Sequence, residues 1–454
     1  MKKHRFLFSS LFQEPAKEVF AWHLRNGALE RMLPPWENVK IIKKEGDVPR
    51  NGSKIFLEQH IGPFRKKWIM EHRDFIDGQE FSDFQIKGPF TTFAHRHYIE
   101  EVTPKSCRLE DEVIFSLPFL GFSKYVIREL HSHFRFRHER LQKDLHVYGS
   151  YPQKPVKVLL SGSSGMIGRE LLTFLRLGGH EVTRLVRSRK EEGSDAMYWD
   201  PESDLANLSK WEGFDVVIHL AGENIASGYW TEAKKQKIIL SRTRNTWLLS
   251  KMLSRLSAPP KVFICASAIG FYGNRPGEVL NEDSSQGVGF LSEVAAKWEE
   301  VAATLKEVGV RVVHTRFGLV LHPSKGIFSR LQMAAKVCLG AVLGTGKQKV
   351  SWISIDDLIY GIYHVIYKEG ISGPVNFTSP YSVTQREFIE KIANKNHRKV
   401  FLTFPKRLLK LLLGQMADEL LLTDQEVYPK KLIQSGYVFF HPKLDDFVNF
   451  FGRK

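Results

Sequence analysis

Cysteine is scarce: three residues in 454, Cys107, Cys265 and Cys338, far apart and odd in number. That spacing argues against a disulfide framework and a cysteine-built metal cage, and a reducing, cytoplasmic compartment is expected. Long apolar runs are also missing. The opening MKKHRFLFSSLFQEPA has the basic start of a secretion signal, but its apolar stretch is interrupted by Ser9 and Ser10 and ends in QEP without a small-residue cleavage site. It reads as a first strand. The leucine-rich RLLKLLLGQMADELLL (407–422) is shorter than a bilayer span and carries Arg407, Lys410, Asp418 and Glu419, so it predicts an amphipathic helix and no membrane span.

Acidic residues are the deficient sign, 50 against 66 Lys and Arg, for a net charge of +16. Such an excess suits nucleic acid, an anionic membrane surface or acidic small molecules. The densest basic run, HSHFRFRHER (131–140), reads as the solvated side of a helix whose apolar positions are Phe122, Val126, Leu130, Phe134, Leu141 and Leu145. No nucleic-acid partner is expected, and a small-molecule substrate is.

A proline-bearing seam, VYGSYPQKP (147–155), divides two patterns. Before it, a strand near 3–12 and a helical region from Pro15 to Met32 precede six strand candidates: NVKIIKK, SKIFLEQHI, KKWIMEHRDF, EFSDFQI, TFAHRHYIEEV and CRLEDEVIF. A long helix over 119–146 closes this part. After the seam, strands and helices alternate, the signature of an α/β fold with a doubly wound parallel sheet. The domains expected are 1–150 and 156–449, the latter ending in a lobe over about 400–449.

In the first part, a curved sheet over a long helix leaves room for an apolar ligand, with Phe56, Trp68, Phe84, Phe93 and Phe115 as candidate lining; the alternative is that these rings fill the core. His95 and His97 share one face of a strand. With no acidic or cysteine partner at metal-ligand spacing, no metal site is expected there.

The most informative segment is VKVLLSGSSGMIGRELLTFLRLGGHEVTRLVRS (156–188). An apolar strand runs into Gly162, Ser163, Ser164, Gly165, Met166, Ile167 and Gly168, then a helix, then a second strand. Gly162 permits the tight turn, Gly165 lets backbone approach a pyrophosphate, and Gly168 lets the helix pack close, while the helix N-terminus offers free N–H groups to the anion. Where NAD binders carry an acid at the end of the second strand, this chain has Arg187, then Ser188, Arg189 and Lys190. A guanidinium suits a 2′-phosphate, so NADP is expected over NAD.

The GxxGxxG form resembles the short-chain dehydrogenase/reductase superfamily, in its extended, epimerase-like branch. That resemblance places Asp200 of YWDP at the adenine and Leu220, Ala221 and Gly222 beside the cofactor; it makes Ser267 of VFICASAIGFYG the active-site serine and sets VRVVHTRFGLVL, with Arg316, near the nicotinamide. GENIASGYWTEAKKQKIILSRTRNT, GTGKQKVSWISIDDL and VYPKKLIQSGYVFFHP resemble one atypical group, the "epimerase family" proteins with a characteristic C-terminal tail. The likeness covers nearly all of 156–449. The first part resembles, by topology alone, the helix-grip fold of START-like and polyketide-cyclase-like (SRPBCC) domains.

One family feature is missing. A tyrosine with a lysine four residues on moves the proton in most superfamily members, both on one helix face. Here Phe290 and Val294 stand in those places, and none of the 13 tyrosines has a lysine four residues downstream. Three alternatives remain open: Tyr272 as donor, Glu293 or Glu299 as acid or base, or NADP binding without turnover. On the substrate side, Asn224, Trp230, Lys235, Ser241 and Arg242 cluster in one stretch, Gln348, Ser351 and Trp352 lie in the segment that meets substrate in extended relatives, and Arg316 is a further anion-binding candidate. The resemblance implies an oxidoreductase or epimerase-like enzyme acting on a small carbonyl or hydroxyl substrate, or else a non-catalytic NADP sensor or scaffold.

Overall fold

Alternating side chains dominate the first 118 residues, and a period of two exposes one face of a strand while burying the other. In the computed structural model, which describes residues 2–37, 39–61, 64–118, 122–152, 154–200, 208–337 and 339–451, that pattern becomes an antiparallel sheet. Its strands are β1 (His4–Phe12), β2 (Val39–Glu45), β3 (Lys54–Ile61), β4 (Phe64–Ile76), β5 (Glu80–Lys87), β6 (Thr92–Thr103) and β7 (Ser106–Ser116), in the order β1-β7-β6-β5-β4-β3-β2. Two short helices, α1 (Ala16–Leu24) and α2 (Ala28–Met32), follow β1, and the long α3 (Ser123–Gly149) follows β7. The chain divides into two compact units at residues 153–154.

Helix α3 lies on the sheet face that carries Phe6, Val113 and Phe115, with Phe134 packed among them. Register sorts the aromatic residues. Trp68, Phe93 and Phe115 point to this inner face, where Trp68 meets Phe93 edge-on at 5.3 Å. Phe56 pairs with Ile69 and Phe84 with Glu71, on the opposite face, where Arg73 covers the Phe84 ring. Those two are therefore not cavity lining.

The basic run on α3 also departs from expectation. Phe136, His138 and Arg140 are buried as well as Phe134 and Leu141, because the helix buries a wide stripe. Polar groups there are tolerated because they are paired: His138 Nε2 lies 2.5 Å from Asp111 Oδ2, and one turn further on Asp144 holds Arg31 in a bidentate pair at 2.8 and 2.9 Å. Phe122, expected to be apolar packing, is exposed.

The second unit opens with β8 (Lys157–Ser161), α4 (Met166–Leu177), β9 (Glu181–Val186) and β10 (Ala196–Tyr198). It continues with β11 (Val216–His219), α5 (Glu232–Leu253), β12 (Val262–Ala268), α6 (Phe290–Ala303), β13 (Arg311–Phe317) and β14 (Gly373–Phe377). These strands form one parallel sheet in the order β10-β9-β8-β11-β12-β13-β14. The order runs outward on both sides of β8 and β11, the Rossmann-like arrangement whose switch point opens at the strand C-termini. Strands buried on both faces read as continuous apolar runs, as in VVIH and VFICASA.

Residues after 400 do not form one helix over 407–422: helix Lys406–Leu413 stops at Gly414, whose φ of +57° ends it, and a wider turn over Ala417–Leu421 follows. Cys107 and Cys265 are free and buried, burial pushing the Cys107 thiol up to about 12; Cys338 lies outside the described residues. Among the described residues no helix is long and apolar enough to cross a membrane.

Candidate functional site

The glycine loop joins β8 to α4. Gly162 has φ +73°, and a Cβ there would come within 2.8 Å of the Leu220 carbonyl carbon. A Cβ on Gly168 would lie 2.2 Å from the Gly162 carbonyl oxygen, so α4 packs onto the loop only because that residue has no side chain. Gly165 and Ser164 are exposed, Ser163 is buried, and Met166 and Ile167 begin the helix. Backbone N–H groups at a helix start, brought this close to a neighbouring strand end, fit a dinucleotide pyrophosphate.

Beside this loop run Leu220, Ala221 and Gly222, just past β11. His219, the last residue of that strand, is fully buried and bonded through Nδ1 to Ser161 Oγ at 2.6 Å; burial lowers its pKa to about 4. Arg187 directly follows β9; it is exposed and has no partner among the described residues. Ser188 leads into a turn where Arg189 lies over the Tyr198 ring at 4.5 Å. Asp200 is half-buried.

Parallel register sets Ser267, Arg316 and Asn376 side by side at the C-terminal ends of β12, β13 and β14. Their side chains form one buried network. Ser267 Oγ donates to Glu299 Oε1 at 2.7 Å, and Arg316 grips both Glu299 oxygens at 2.8 Å. Arg316 also donates to the Tyr272 hydroxyl at 2.9 Å, and Tyr272 donates to Asn376 Oδ1 at 2.8 Å. Burial raises the Tyr272 pKa despite the neighbouring guanidinium; burial also works against the charge on Arg316, but Glu299 outweighs it and raises that pKa.

This network revises three sequence expectations. Arg316 is neutralised by a bidentate carboxylate and is not a free anion site. Tyr272 is 0 % exposed with its hydroxyl saturated, so no substrate oxygen reaches it in this arrangement. The Ser267 proton is committed to Glu299. Glu293 is an exposed residue of α6. Asn376 was missed; its only sequence signal is one amide inside an apolar strand, GPVNF.

The expected substrate residues mostly hold loops. Asn224 Oδ1 accepts from its own turn at Ala226 N, and Trp230 Nε1 donates to Ile225 O. Ser241 Oγ and Arg242 hold Glu223 by its backbone, while Lys234 takes its carboxylate. Gln348 Nε2 donates to Leu343 O, Ser351 Oγ to Gln425 O, and Trp352 is a core residue with Nε1 on Tyr381 O. Two features border the loop that follows β11. The Arg242 guanidinium has no carboxylate within ion-pair distance among the described residues, would lie 3.4 Å from a Cβ at Gly222, and is lowered by burial to about 10. Phe290, in the place of the tyrosine, meets Trp230 edge-on at 5.2 Å with Lys235 Nζ 5.8 Å from its ring centre. A surface depression lined by Tyr367, Ser372, Lys431 and Gln434 lies before the N-terminal end of β14, the wrong end of the sheet for this site.

Residues 158–378 match the NAD dependent epimerase/dehydratase family, and residues 404–449 match a domain of unknown function, DUF1731. The epimerase family protein Mb2239 of Mycobacterium bovis is 36% identical over 293 residues, covering 64% of this chain and 96% of that protein. This chain belongs to the epimerase family. Among solved structures, the nucleoside-diphosphate sugar epimerase of Corynebacterium glutamicum is 27% identical with a TM-score of 0.81, over 99% of this chain and 90% of that one. The human epimerase family protein SDR39U1 (isoform 2), solved with NADPH, is 29% identical with a TM-score of 0.59, over 64% of this chain and 97% of that one. Membership makes the protein NAD(P)-binding. The family's C-terminal domain is tied to the site, since Glu419 caps α6 at Phe290 and Leu291.

Proposed function

We propose that this epimerase-family protein binds NADP in preference to NAD and acts as an oxidoreductase or epimerase-like enzyme on a small carbonyl or hydroxyl substrate. The observation that carries the cofactor preference is Arg187: an exposed guanidinium, unpaired among the described residues and one residue beyond β9, where it would meet an adenosine 2′-phosphate that a carboxylate in its place would repel. The human relative solved with NADPH supports this choice. When bound, the cofactor would accept a hydride from a hydroxyl-bearing carbon in its oxidised form or supply one to a carbonyl carbon as NADPH. The chain contributes the backbone of Gly162, Gly165 and Gly168 around the pyrophosphate and the wall at Ala221 and Gly222. On the substrate side stand Phe290, Trp230 and the cations Arg242 and Lys235, the latter also paired with the exposed Glu232 at 3.0 Å, a combination suited to an anionic ligand with an apolar face.

The test is a fluorescence titration of NADPH and NADH against wild type and Arg187→Ala. NADPH binds more tightly to wild type, and the substitution removes the preference; equal affinities in wild type would defeat the assignment. A second reading, an NADP-binding sensor without turnover, draws on Ser267, Glu299, Arg316 and Tyr272 being buried and bonded to one another. A carbonyl-substrate screen that never oxidises bound NADPH favours it. For the first unit we propose a START-like (SRPBCC) helix-grip domain that holds an apolar ligand or a protein partner, a reading supported by the sheet with α3 across its inner face.

A further inference from the structure

We propose that the first unit holds a divalent first-row transition-metal ion, zinc or ferrous iron in character, between Asp83, His95 and His97. Sequence spacing hides the acidic partners because they come from neighbouring strands: antiparallel register sets Asp83 of β5 opposite His95, and Asp111 of β7 opposite His97. One ligand atom from each of Asp83, His95 and His97 falls within 4.8 Å of the other two.

The distances fit an ion better than hydrogen bonds. Asp83 Oδ2 is 3.5 Å from His95 Nδ1 and 3.5 Å from His97 Nε2. That is long for a charged N–H···O contact, which favours about 2.7–2.9 Å. It is close to the edge, about 3.4 Å, of a tetrahedron drawn with metal–ligand bonds of about 2.1 Å. The tautomers agree. His95 Nε2 lies 2.7 Å from Asp111 Oδ1 and hydrogen-bonds to it, which in a neutral ring leaves the Nδ1 lone pair facing the Asp83 carboxylate. A lone pair facing a carboxylate is repulsive until a proton or a metal ion lies between them, and at 3.5 Å the gap is wide for a proton. His97 Nδ1 is 2.7 Å from the same Asp111 oxygen but not aligned with it, and among the described residues it makes no hydrogen bond although the residue is 5 % exposed.

Outer partners complete the pattern. Asp111 backs both ligand histidines and is itself contacted by His138 Nε2 at 2.5 Å; His72 Nε2 lies 2.8 Å from the other Asp83 oxygen, and its Nδ1 bonds Ser53 Oγ at 3.0 Å. Carboxylates behind metal-bound imidazoles fix their tautomer and orientation. A dication there would offset the negative charge of the carboxylates Asp83 and Asp111, which would otherwise meet in a largely buried cluster. Three protein ligands leave at least one coordination position for water or a donor group. The Asp83 side chain keeps 17 % exposure, which provides an entry.

The test uses the full chain, stripped with a chelator and titrated with Zn2+ and, anaerobically, with Fe2+; Co2+ serves as the spectroscopic probe. One equivalent binds, Co2+ develops the visible absorption of a nitrogen- and oxygen-ligated site, and bound Zn2+ raises the thermal midpoint. Asp83→Asn and His97→Gln each weaken binding by about 100-fold or more, whereas His60→Gln, at a histidine beside Glu58 on β3, leaves it unchanged. Either ion found at one per chain in protein purified without chelator supports the proposal. It is overturned if the cooperatively folded wild-type chain takes up no stoichiometric metal, or if uptake is the same in Asp83→Asn and His97→Gln.

Discussion

Glu419 accepts the backbone N–H of Phe290 at 3.0 Å and of Leu291 at 2.8 Å, so a carboxylate from the C-terminal domain closes the first turn of α6. Gly289, with φ +128°, brings the chain close enough for this, since a Cβ there would lie 3.3 Å from Glu419 Cδ. The bonds satisfy two orphan donors, and the negative charge sits at the positive end of the helix. Glu419→Ala is expected to cost about 1–2 kcal/mol in chemical denaturation, with Glu419→Gln losing less because the amide oxygen still accepts. Equal stability of Glu419→Ala and wild type would show that the cap is not maintained in solution.

The Arg316–Glu299 pair predicts an asymmetric response. Arg316→Met leaves the Glu299 carboxylate buried against Ser267 without its cation, a loss of about 3–5 kcal/mol. Tyr272→Phe removes one hydroxyl from the same network and costs only about 1–2 kcal/mol. Denaturant midpoints at constant m-value separate the two. Because the Tyr272 hydroxyl is saturated by Arg316 and Asn376, Tyr272→Phe also keeps whatever turnover the wild type shows, and a collapse of activity in a stable Tyr272→Phe protein would return that tyrosine to the reaction.

His219 gives the second unit a pH dependence with a defined sign. Burial lowers its pKa from 6.5 to about 4, so between those values the unfolded chain binds a proton that the folded chain refuses. The contribution is complete above pH 6.5 and is lost as the pH falls towards 4, amounting to roughly 3 kcal/mol over the window. His219→Gln keeps a partner for Ser161 Oγ and cannot titrate. Its stability therefore falls less steeply with acid than that of wild type, and parallel pH profiles would contradict the assignment.

What was legible in the sequence follows from the range of each interaction. The Gly162, Gly165 and Gly168 loop could be read because its physics is local: strand, turn and helix start occur within about a dozen residues in one order. The antiparallel strands of the first unit were equally readable from alternation. Trp352 and Gln348 were not, because a polar or aromatic residue in a loop-like segment becomes core only through contacts made at Tyr381, Leu343 and Leu421. Glu299 and Arg316 are 17 positions apart and read as independent candidates, yet the packing of α6 on the sheet makes them one ion pair. Asp83 and Asp111 escaped notice beside His95 and His97 for the same reason.

The lost tyrosine and lysine leave unequal traces in the packing of α6. Val294 is 4 % exposed and sits on the buried face of the helix, whereas Phe290 is half-buried at the edge-on contact with Trp230. Restoring the pair is therefore expected to fail at one position and succeed at the other. Val294→Lys brings an ammonium into a buried position and loses several kcal/mol or forces the lysine to bind neutral. Phe290→Tyr adds only a hydroxyl, with Lys235 already beside the ring, and stays within about 1 kcal/mol of wild type. Thermal and denaturant unfolding of the two single variants check this, and a stable Val294→Lys protein with ordinary lysine titration would mean that α6 presents that face to solvent.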